Sequence, residues 1–318
     1  KVGNSTLFVE RAGHRIRDMQ YSFEIDRYKA EDLTVLAEHL FDGSEQAGDE
    51  DQEQQEVIDW AYQQQRDSLV WAVRSDGVLV GLVLNRERGV IAWAPQPLGG
   101  GAIVESARSI PSPDGKTDDL WMQVRRTVDG ETQRTIEFME DYRLVKLGPG
   151  EAFHVDSGVT YRGAATDTID GLEHLEGETV SVCADGSKHP DRVVTDGEIT
   201  LDRTAELVHV GYAYASRMQL MRMEVPGGGG TSQTAKKGIA TLWLRLQSTI
   251  GGKVGPSFAE ADMDDVATLD PYATVGTPPE LFTGDYKLEF NGGFEEAGYI
   301  CYEQSDPLPA TLVAIIAR

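Results

Sequence analysis

The sequence is short of cysteine, of long apolar runs and of basic residues, and each shortage argues against a class of protein. Only two cysteines occur among 318 residues, Cys183 and Cys301, and neither belongs to a C-x-x-C spacing. This argues against a disulfide framework and against a cysteine zinc site. We predict that both are small buried apolar residues. No run of 18 apolar residues is present, so we expect no membrane span.

The shortage of basic residues gives the chain a formal net charge of -24, from 53 acidic and 29 basic side chains. A surface that grips duplex DNA gains its affinity by neutralising phosphates with Lys and Arg, so this balance argues against one. An acidic wall is compatible with DNA that passes without being held. Residues 42–59 carry eight acidic residues and no Lys or Arg, and we predict a solvated, mobile insertion there.

The length allows two or three domains with sizeable apolar cores. The first residues, "KVGNSTLFVE", include neither a Met nor the core of a signal peptide. We therefore expect the chain to be part of a longer product.

Three stretches share one design of strand, tight turn and strand: "NSTLFVERAGHRIRDMQY", "DSLVWAVRSDGVLVGLVL" and "DDLWMQVRRTVDGETQRTIEF". Gly13, Gly77 and Gly130 lie where the two alternating strands of each stretch meet. Asp76 and Asp129 complete the Asp-Gly pair that favours a type I′ hairpin. A further hairpin is predicted in "GLVLNRERGVIAWAPQP".

Hairpins that recur in this way indicate β-propeller blades, because a four-stranded blade needs neighbours to cover its two faces. We predict an all-β protein in which residues 1–147 form a β-propeller-like region of about three blades, with further N-terminal blades missing. One short helix is predicted over 30–41 in "AEDLTVLAEHLF", with Asp32 as its N-cap. The face that it buries is predicted to contain Leu33, Leu36, Ala37 and Leu40.

Two further domains are predicted after the boundary segment "KLGPGEAF". Residues 148–215 indicate a small β-barrel or sandwich module, and residues 216–318 indicate a C-terminal β domain. The Gly-rich loop 227–235 within that domain is expected to order only against partner chains or to act as a flexible connector. The final run, "ATLVAIIA", is predicted to be a strand that is buried on both faces.

No known catalytic, cofactor or metal pattern occurs in the sequence. "HVDSG" (154–158) offers a His, an Asp and a Ser, but it is better explained as a turn or domain entry. "GGKVG" (251–255) lacks the spaced Gly and the Ser or Thr of a phosphate loop. The histidines form no H-E-x-x-H motif; they are His14, His39, His154, His174, His189 and His209. We therefore predict no catalytic residue, no cofactor, no metal and no enzyme activity.

A propeller that cleaves glycans would need paired carboxylates or an arginine cluster. "SPDGKTDDLW" (112–121) is faintly similar to the Asp-containing turn of sialidases but occurs once, and a surface turn is predicted. Arg125, Arg126 and Arg134 are predicted to form the polar face of a hairpin. The tryptophans are predicted to be packing residues rather than a sugar platform; they are Trp60, Trp71, Trp93, Trp121 and Trp243.

Several of these segments together resemble the C-terminal part of the tail tube or nozzle proteins of short-tailed bacteriophages. Besides the stretches quoted above, "GLEHLEGETVSVCADGSKHPDRVVTDGEITLD", "HVGYAYASRMQLM" and "GTPPELFTGDYKLEFNGGFEEAGYICYEQSDPLPATLVAII" carry the resemblance. It extends in order over nearly the whole chain. The segment 154–215 also looks like a small β-module of ubiquitin-activating enzymes, but "VSVCADG" around Cys183 contains no activation motif.

The resemblance implies a structural virion protein without catalysis. It implies a homo-oligomeric ring, usually a hexamer, below the tail adaptor, which gives double-stranded genome DNA a path out without specific binding and offers a platform to tail fibres or spikes. The alternative from another class is a carbohydrate-binding or glycan-cleaving β-propeller at the site of receptor contact. A weaker alternative is a β-propeller scaffold that binds proteins.

Overall fold

The computed structural model describes residues 2–3, 5–41, 54–65, 67–224, 235–268 and 279–318. These residues form an all-β protein made of antiparallel sheets, which confirms the predicted fold class. They divide into two compact units, residues 1–140 and 141–318. The helical segments in the described part are short 3-10 turns: Glu38–Leu40, Tyr142–Leu147, Pro149–Glu151, Glu173–Leu175 and Glu260–Asp262.

The first unit consists of three successive sheets in which each strand pairs with the next along the chain. The first sheet has the order β1 (Thr6–Val9), β2 (Ile16–Ser22), β3 (Arg27–Asp32). The second has the order β4 (Val57–Gln63), β5 (Leu69–Arg74), β6 (Leu79–Asn85), β7 (Val90–Gln96). The third has the order β8 (Ile103–Pro111), β9 (Asp118–Val128), β10 (Glu131–Phe138).

Strand β5, an inner strand of the second sheet, is buried on both of its faces. Because side chains alternate along a strand, β5 sends Val70 and Ala72 to one face and Trp71 and Val73 to the other. Val70 and Ala72 join a core with the first sheet around Ile16. Trp71 and Val73 join a second core formed with the third sheet; its members there are Val104, Ala107, Leu120, Met122 and Val124. The three sheets are therefore layered, with the second sheet in the middle.

The predicted hairpins are present, but their turns differ. Asp129 and Gly130 have φ of 48° and 75° and form a two-residue loop, as a type I′ turn requires. The prediction of a type I′ turn at Asp76 and Gly77 is wrong, because only Gly77 has a positive φ. The loop is longer there, and the Arg74 N–H donates to the Val78 carbonyl oxygen at 3.0 Å.

The helix predicted over 30–41 is present only as the 3-10 turn Glu38–Leu40. Strand β3 occupies the first part of that segment, because its pairing with β2 continues as far as Asp32. The Asp32 carboxylate does accept the Thr34 N–H, at 2.8 Å, but it closes a turn rather than a helix. Leu36, expected on the buried face, is 92% exposed, whereas the other three predicted residues are buried.

The second unit begins with a four-stranded sheet that lies within residues 156–212. Its order is β11 (Asp156–Ile169), β14 (Ile199–Tyr212), β12 (Thr179–Ala184), β13 (Ser187–Val193). One cluster of buried apolar side chains, including Leu172, Val182 and Val210, covers this sheet. The predicted three-domain division remains a prediction beside the two units that are observed.

The remaining strands of the second unit form three smaller sheets. One has the order β15 (Ser216–Gln219), β22 (Cys301–Gln304), β18 (Lys253–Gly255), β19 (Asp264–Asp265). Another has the order β20 (Phe282–Glu289), β17 (Thr241–Thr249), β23 (Leu312–Ala317), and the last pairs β16 (Lys237–Gly238) with β21 (Phe294–Glu295). Leu242, Leu244, Val254 and Ile300 belong to the core that these strands share.

The final strand is not buried on both faces, so that prediction is wrong. β23 lies at the edge of its sheet, where it pairs only with β17. Leu312 and Ile315 pack against the core, while Val313 and Ile316 are 56% and 45% exposed. Two other predicted features lie mostly outside the described residues: the acidic insertion 42–59, described only from 54 onward, and the Gly-rich loop 227–235, of which only residue 235 is described.

Candidate functional site

The "HVDSG" segment brings His154 to a tyrosine rather than into a catalytic triad. His154 Nδ1 lies 3.3 Å from the Tyr214 hydroxyl. Burial, with a smaller contribution from His209, lowers the pKa of His154 to about 4. Burial and the nearby Asp156 raise the pKa of Tyr214 to about 12. At neutral pH the phenol and the imidazole are therefore both neutral, and neither group is poised for proton transfer.

This pair borders a shallow pocket of about 250 Å³ in the second unit. Residues that line it include His154, Tyr214, Arg217, Tyr302, Asp306 and Leu308. The two charged side chains are already paired, Arg217 with Glu303 at 2.5 Å and Asp306 with Lys188. The pocket offers polar contacts, but the groups that line it are neutral or neutralised.

The three arginines singled out in the sequence do not form a carboxylate pocket. Arg126 is only 4% exposed, and its guanidinium binds both carboxylate oxygens of Glu137. Arg125 and Arg134 both bind Glu105 on the opposite face of the third sheet, through Nε–O distances of 3.1 and 2.9 Å. Each guanidinium thus has a carboxylate partner within the unit, as a structural role requires.

The other sequence candidates also have structural surroundings. Residues 112–117 form the turn between β8 and β9, in which the Lys116 N–H donates to Asp114 at 2.9 Å. "GGKVG" leads into strand β18 instead of a helix. Burial raises the pKa of Cys183 to about 11 and also raises that of Cys301, which keeps both thiols protonated at neutral pH. Within the described residues no group of three His, Cys, Asp or Glu side chains has the geometry of a metal site.

The tryptophans occupy several environments. Trp71 is buried between the second and third sheets, and Trp60 and Trp93 pack partly against the core shared with the first sheet. Trp121 stacks on Phe138 on the outer face of the third sheet, with ring centroids 5.3 Å apart. Trp243 is 36% exposed. The packing interpretation therefore fits the first three best.

Sequence reasoning missed a projecting hairpin in the first sheet, residues 19–30, which we call the arm. Beyond the Thr6 and Met19 pair, β2 has no β1 neighbour, so the arm continues as a two-stranded ribbon. Tyr21 packs edge-on against Tyr28, with ring centroids 5.4 Å apart. Five large apolar side chains of the arm are exposed: Met19 36%, Tyr21 50%, Phe23 90%, Ile25 56% and Tyr28 71%. Their alternation in "YSFEI" was a signal, but it equally fits a buried strand.

A second apolar surface of the same unit is a groove of about 290 Å³, lined by residues at and directly after the end of strand β3 and by two residues of β7. We call it the groove; its lining includes Leu33, Val35, Leu36, Leu40, Ile91 and Trp93. Trp93 is fixed in the lining by its indole N–H, which donates to the Leu33 carbonyl oxygen at 2.8 Å. Val35, Leu36 and Ile91 are 58%, 92% and 46% exposed. Exposed apolar surfaces of this kind mark contact sites more often than catalytic ones.

Comparison with known proteins assigns no relationship: no protein-family model matches the sequence, and no curated protein is significantly similar to it. In the described part of the chain, no helix is long and apolar enough to cross a membrane.

Proposed function

We propose that this chain is a structural protein of a bacteriophage tail, forming part of the tail tube or nozzle. The observation that supports this most is the layered first unit, in which a middle sheet of four strands is covered on both faces by neighbouring sheets. Consecutive propeller blades have this relationship, and the tail proteins that the sequence resembles combine a propeller region with β-rich modules.

The finer proposal is that the three sheets of the first unit are three blades of a β-propeller. Each is an antiparallel meander, and the turn at Gly77 accepts the Val104 N–H of the next sheet at 2.9 Å. The second sheet has the four strands of a complete blade, and the first and third have three in the described part. Blade-to-blade contact through buried aliphatic side chains is the packing that a propeller needs.

In this proposal the chain forms a ring, a hexamer in the simplest case, located in the virion. The ring lies below the tail adaptor, carries tail fibres or spikes and gives the double-stranded genome an exit path. Mass photometry and electron microscopy of the purified chain test the assembly directly. Rings with a hole wide enough for DNA are expected. A monomer that persists at high concentration and beside its tail partners would favour the glycan-binding propeller instead.

The charge of the chain supports an acidic lumen that repels the exiting DNA. The 53 acidic residues exceed the 29 basic residues by 24, so the chain carries negative charge that its own Lys and Arg do not neutralise. Like charge removes the counterion release that makes DNA binding tight. The plainer explanation is that the charge only keeps exposed protein soluble.

Replacing carboxylates of the lumen, as mapped by microscopy, with Lys distinguishes these two explanations. Slower or incomplete genome ejection is expected, because phosphates then bind the wall, and the defect should weaken at high salt. The same number of Lys substitutions on the outer surface serves as the control. Unchanged ejection from virions with a basic lumen would contradict the proposal that an acidic lumen repels the exiting DNA.

A further inference from the structure

We infer that the arm of one copy of this chain docks on a second copy, along strand β7 and in the groove. This inference rests on the proposed function, a closed ring of subunits. It deepens that proposal by naming the contact between neighbouring subunits. The contact would be heterologous, because arm and groove are different surfaces of the same unit.

The arm is not self-sufficient as a free ribbon. A two-stranded hairpin in water is marginally stable at best, since it has no sheet face to bury. Within the arm the Tyr21–Tyr28 stack and the hydrogen bond from the Tyr21 hydroxyl to Asp26 hold the two strands together. Phe23, at 90% exposure, lies at the turn beyond them. Burial of these side chains against another surface would supply the apolar contact that the two-stranded ribbon lacks.

Strand β7 offers the complementary backbone. It is the edge strand of the second sheet, and its sequence "VIAWAPQ" contains no charged residue. Edge strands of soluble proteins are normally guarded by charges, proline or a covering segment, because their open N–H and C=O groups invite another strand. Pro95 guards only the end of β7, and in the described part of the chain β6 is the one strand that pairs with Val90 to Ala94. An added strand along this part would bring its side chains to the groove, which Ile91 and Trp93 of β7 line.

A local charge complementarity favours a second copy of the chain as the occupant. Asp32 and Glu38 beside the groove share one cation, Arg15, at N–O distances of 3.7 and 3.3 Å, which leaves an excess negative charge there. On the free edge of the arm, Lys29 pairs with Glu31 of its own chain, whereas Arg27 is exposed. Among the described residues Arg27 has no ion pair within its own chain. A chain with a net charge of -24 resists self-association unless a local pairing of this kind compensates.

Two charge-introducing variants test the contact from its two sides in the full chain. Phe23→Asp disables the arm, and Leu36→Asp disables the lip of the groove. Met221→Asp is the matched control, because Met221 is 89% exposed in the second unit. Since all three side chains point into solvent, thermal unfolding should be nearly unchanged, which separates lost contact from lost fold.

Sedimentation velocity over a concentration series provides the readout. We expect the wild type and Met221→Asp to associate alike and each of the other two variants to associate at least about 100-fold more weakly, since a desolvated carboxylate opposes docking. A mixture of Phe23→Asp and Leu36→Asp retains one intact contact per pair. This mixture should form heterodimers and nothing larger. In a separate experiment, a chain with Phe23→Cys should form a disulfide cross-link with a chain that carries Leu36→Cys.

The outcomes separate this inference from the proposed function. Rings that persist in Phe23→Asp and Leu36→Asp would overturn the arm contact and leave the tail-tube proposal standing. If the wild type associates without forming rings, and both variants abolish that association, the arm contact would be supported and the tail-tube proposal would be weakened. A wild-type chain that stays monomeric at every concentration would overturn both the arm contact and the tail-tube proposal. An equal loss of association in the control Met221→Asp would overturn the arm contact alone.

Discussion

The two units hold polar side chains in their interiors by different chemistry. In the first unit the buried Arg74 and Arg126 bind carboxylates, and the buried Asp18 accepts Arg86 Nε at 2.8 Å. In the second unit the fully buried polar rings are histidines, His189 and His209. The first unit therefore keeps charges paired, whereas the second gives its buried imidazoles hydrogen-bond partners and, through burial, holds the pKa of His154 at about 4.

This difference determines what each unit tolerates. A buried ion pair is a modest source of stability, but removing one partner leaves a desolvated charge. A buried neutral imidazole costs little until the pH falls below the ordinary pKa of histidine, when the unfolded chain takes up a proton that the folded chain resists. We expect the first unit to be sensitive to loss of a partner and the second unit to be sensitive to acid.

The largest expected effect is the loss of Arg126. In Arg126→Met, the Glu137 carboxylate loses its bidentate partner and the Gly99 carbonyl oxygen loses the donor that lies 3.1 Å away. The free energy of unfolding of the first unit should fall by about 4 kcal/mol. Arg134→Met, whose side chain is 55% exposed, should cost far less, because water and salt screen its ion pair with Glu105.

Urea denaturation followed by tryptophan fluorescence measures this contrast. In a Trp243→Phe background the four remaining tryptophans all lie in the first unit, so the signal reports that unit alone. Equal losses in the two arginine variants would mean that burial of the ion pair does not matter.

Acid should destabilise the second unit through His154. Its pKa is about 4 in the folded chain and about 6.5 unfolded, so the unfolded state binds the proton first between these values. Stability is therefore lost as the pH falls from 6.5 to 4, by about 3 kcal/mol in total. In the first unit, burial raises the pKa of Asp18 and Asp76, but their arginine hydrogen bonds outweigh it and lower both below the ordinary value of 3.8. Their contribution persists until the pH falls below that range.

Hydrogen exchange at pH 7 and pH 5, corrected for intrinsic rates, resolves the two units separately. Opening should become easier at pH 5 for amides of the 156–212 sheet and should change little in the first unit. His154→Gln removes the titrating ring and should flatten the difference. If that variant keeps the full pH dependence, His154 is not the group responsible.

The buried ring of His189 should also matter through its hydrogen bonds. His189 Nε2 accepts the Asp202 N–H at 2.9 Å, and Nδ1 lies 2.8 Å from the Pro190 carbonyl oxygen. His189→Leu leaves both backbone groups without these partners and should cost about 2 kcal/mol. His39→Leu, at an exposed position, should cost about 0.5 kcal/mol or less. Chemical denaturation monitored by far-ultraviolet circular dichroism compares them, and equal costs would contradict the role assigned to His189.

The hairpins were predictable from the sequence because turn chemistry and alternation act locally. The segment 30–41 was not, because Leu33 after β3, Ala37 before the 3-10 turn and Leu40 within that turn are buried just as they would be in a helix. What decided the outcome was the pairing of β3 with β2, which extends the hairpin from Ser22 and Arg27 as far as Arg17 and Asp32. Periodicity alone carries no information about such a partner.

The arm and the groove were not predictable for a related reason. Phe23 and Leu36 have the residue types and spacing of core positions, yet both are almost fully exposed in the chain. Whether an apolar side chain faces the chain's own core or solvent depends on which sheet covers it. The absence of catalytic geometry around His154 likewise depended on Tyr214, which lies 60 residues away.

One matched pair of turns sharpens the comparison of the units at the smallest scale. Asp129–Gly130 in the first unit and Asp185–Gly186 in the second form two-residue hairpin loops with nearly equal φ values. A Cβ on Gly130 would meet no atom within 4 Å, whereas one on Gly186 would lie 2.8 Å from the Gly150 backbone nitrogen. Gly130→Ala should therefore cost about 1 kcal/mol, for the left-handed backbone alone.

Gly186→Ala should cost about 1 kcal/mol more, because the 149–150 segment has to move. Thermal unfolding of the two variants by calorimetry measures the difference. Equal shifts would show that backbone conformation governs both turns and that the 149–150 segment yields freely. A larger shift for Gly186→Ala would show that the second unit uses its hairpin turn as a packing surface while the first unit leaves its own open to solvent.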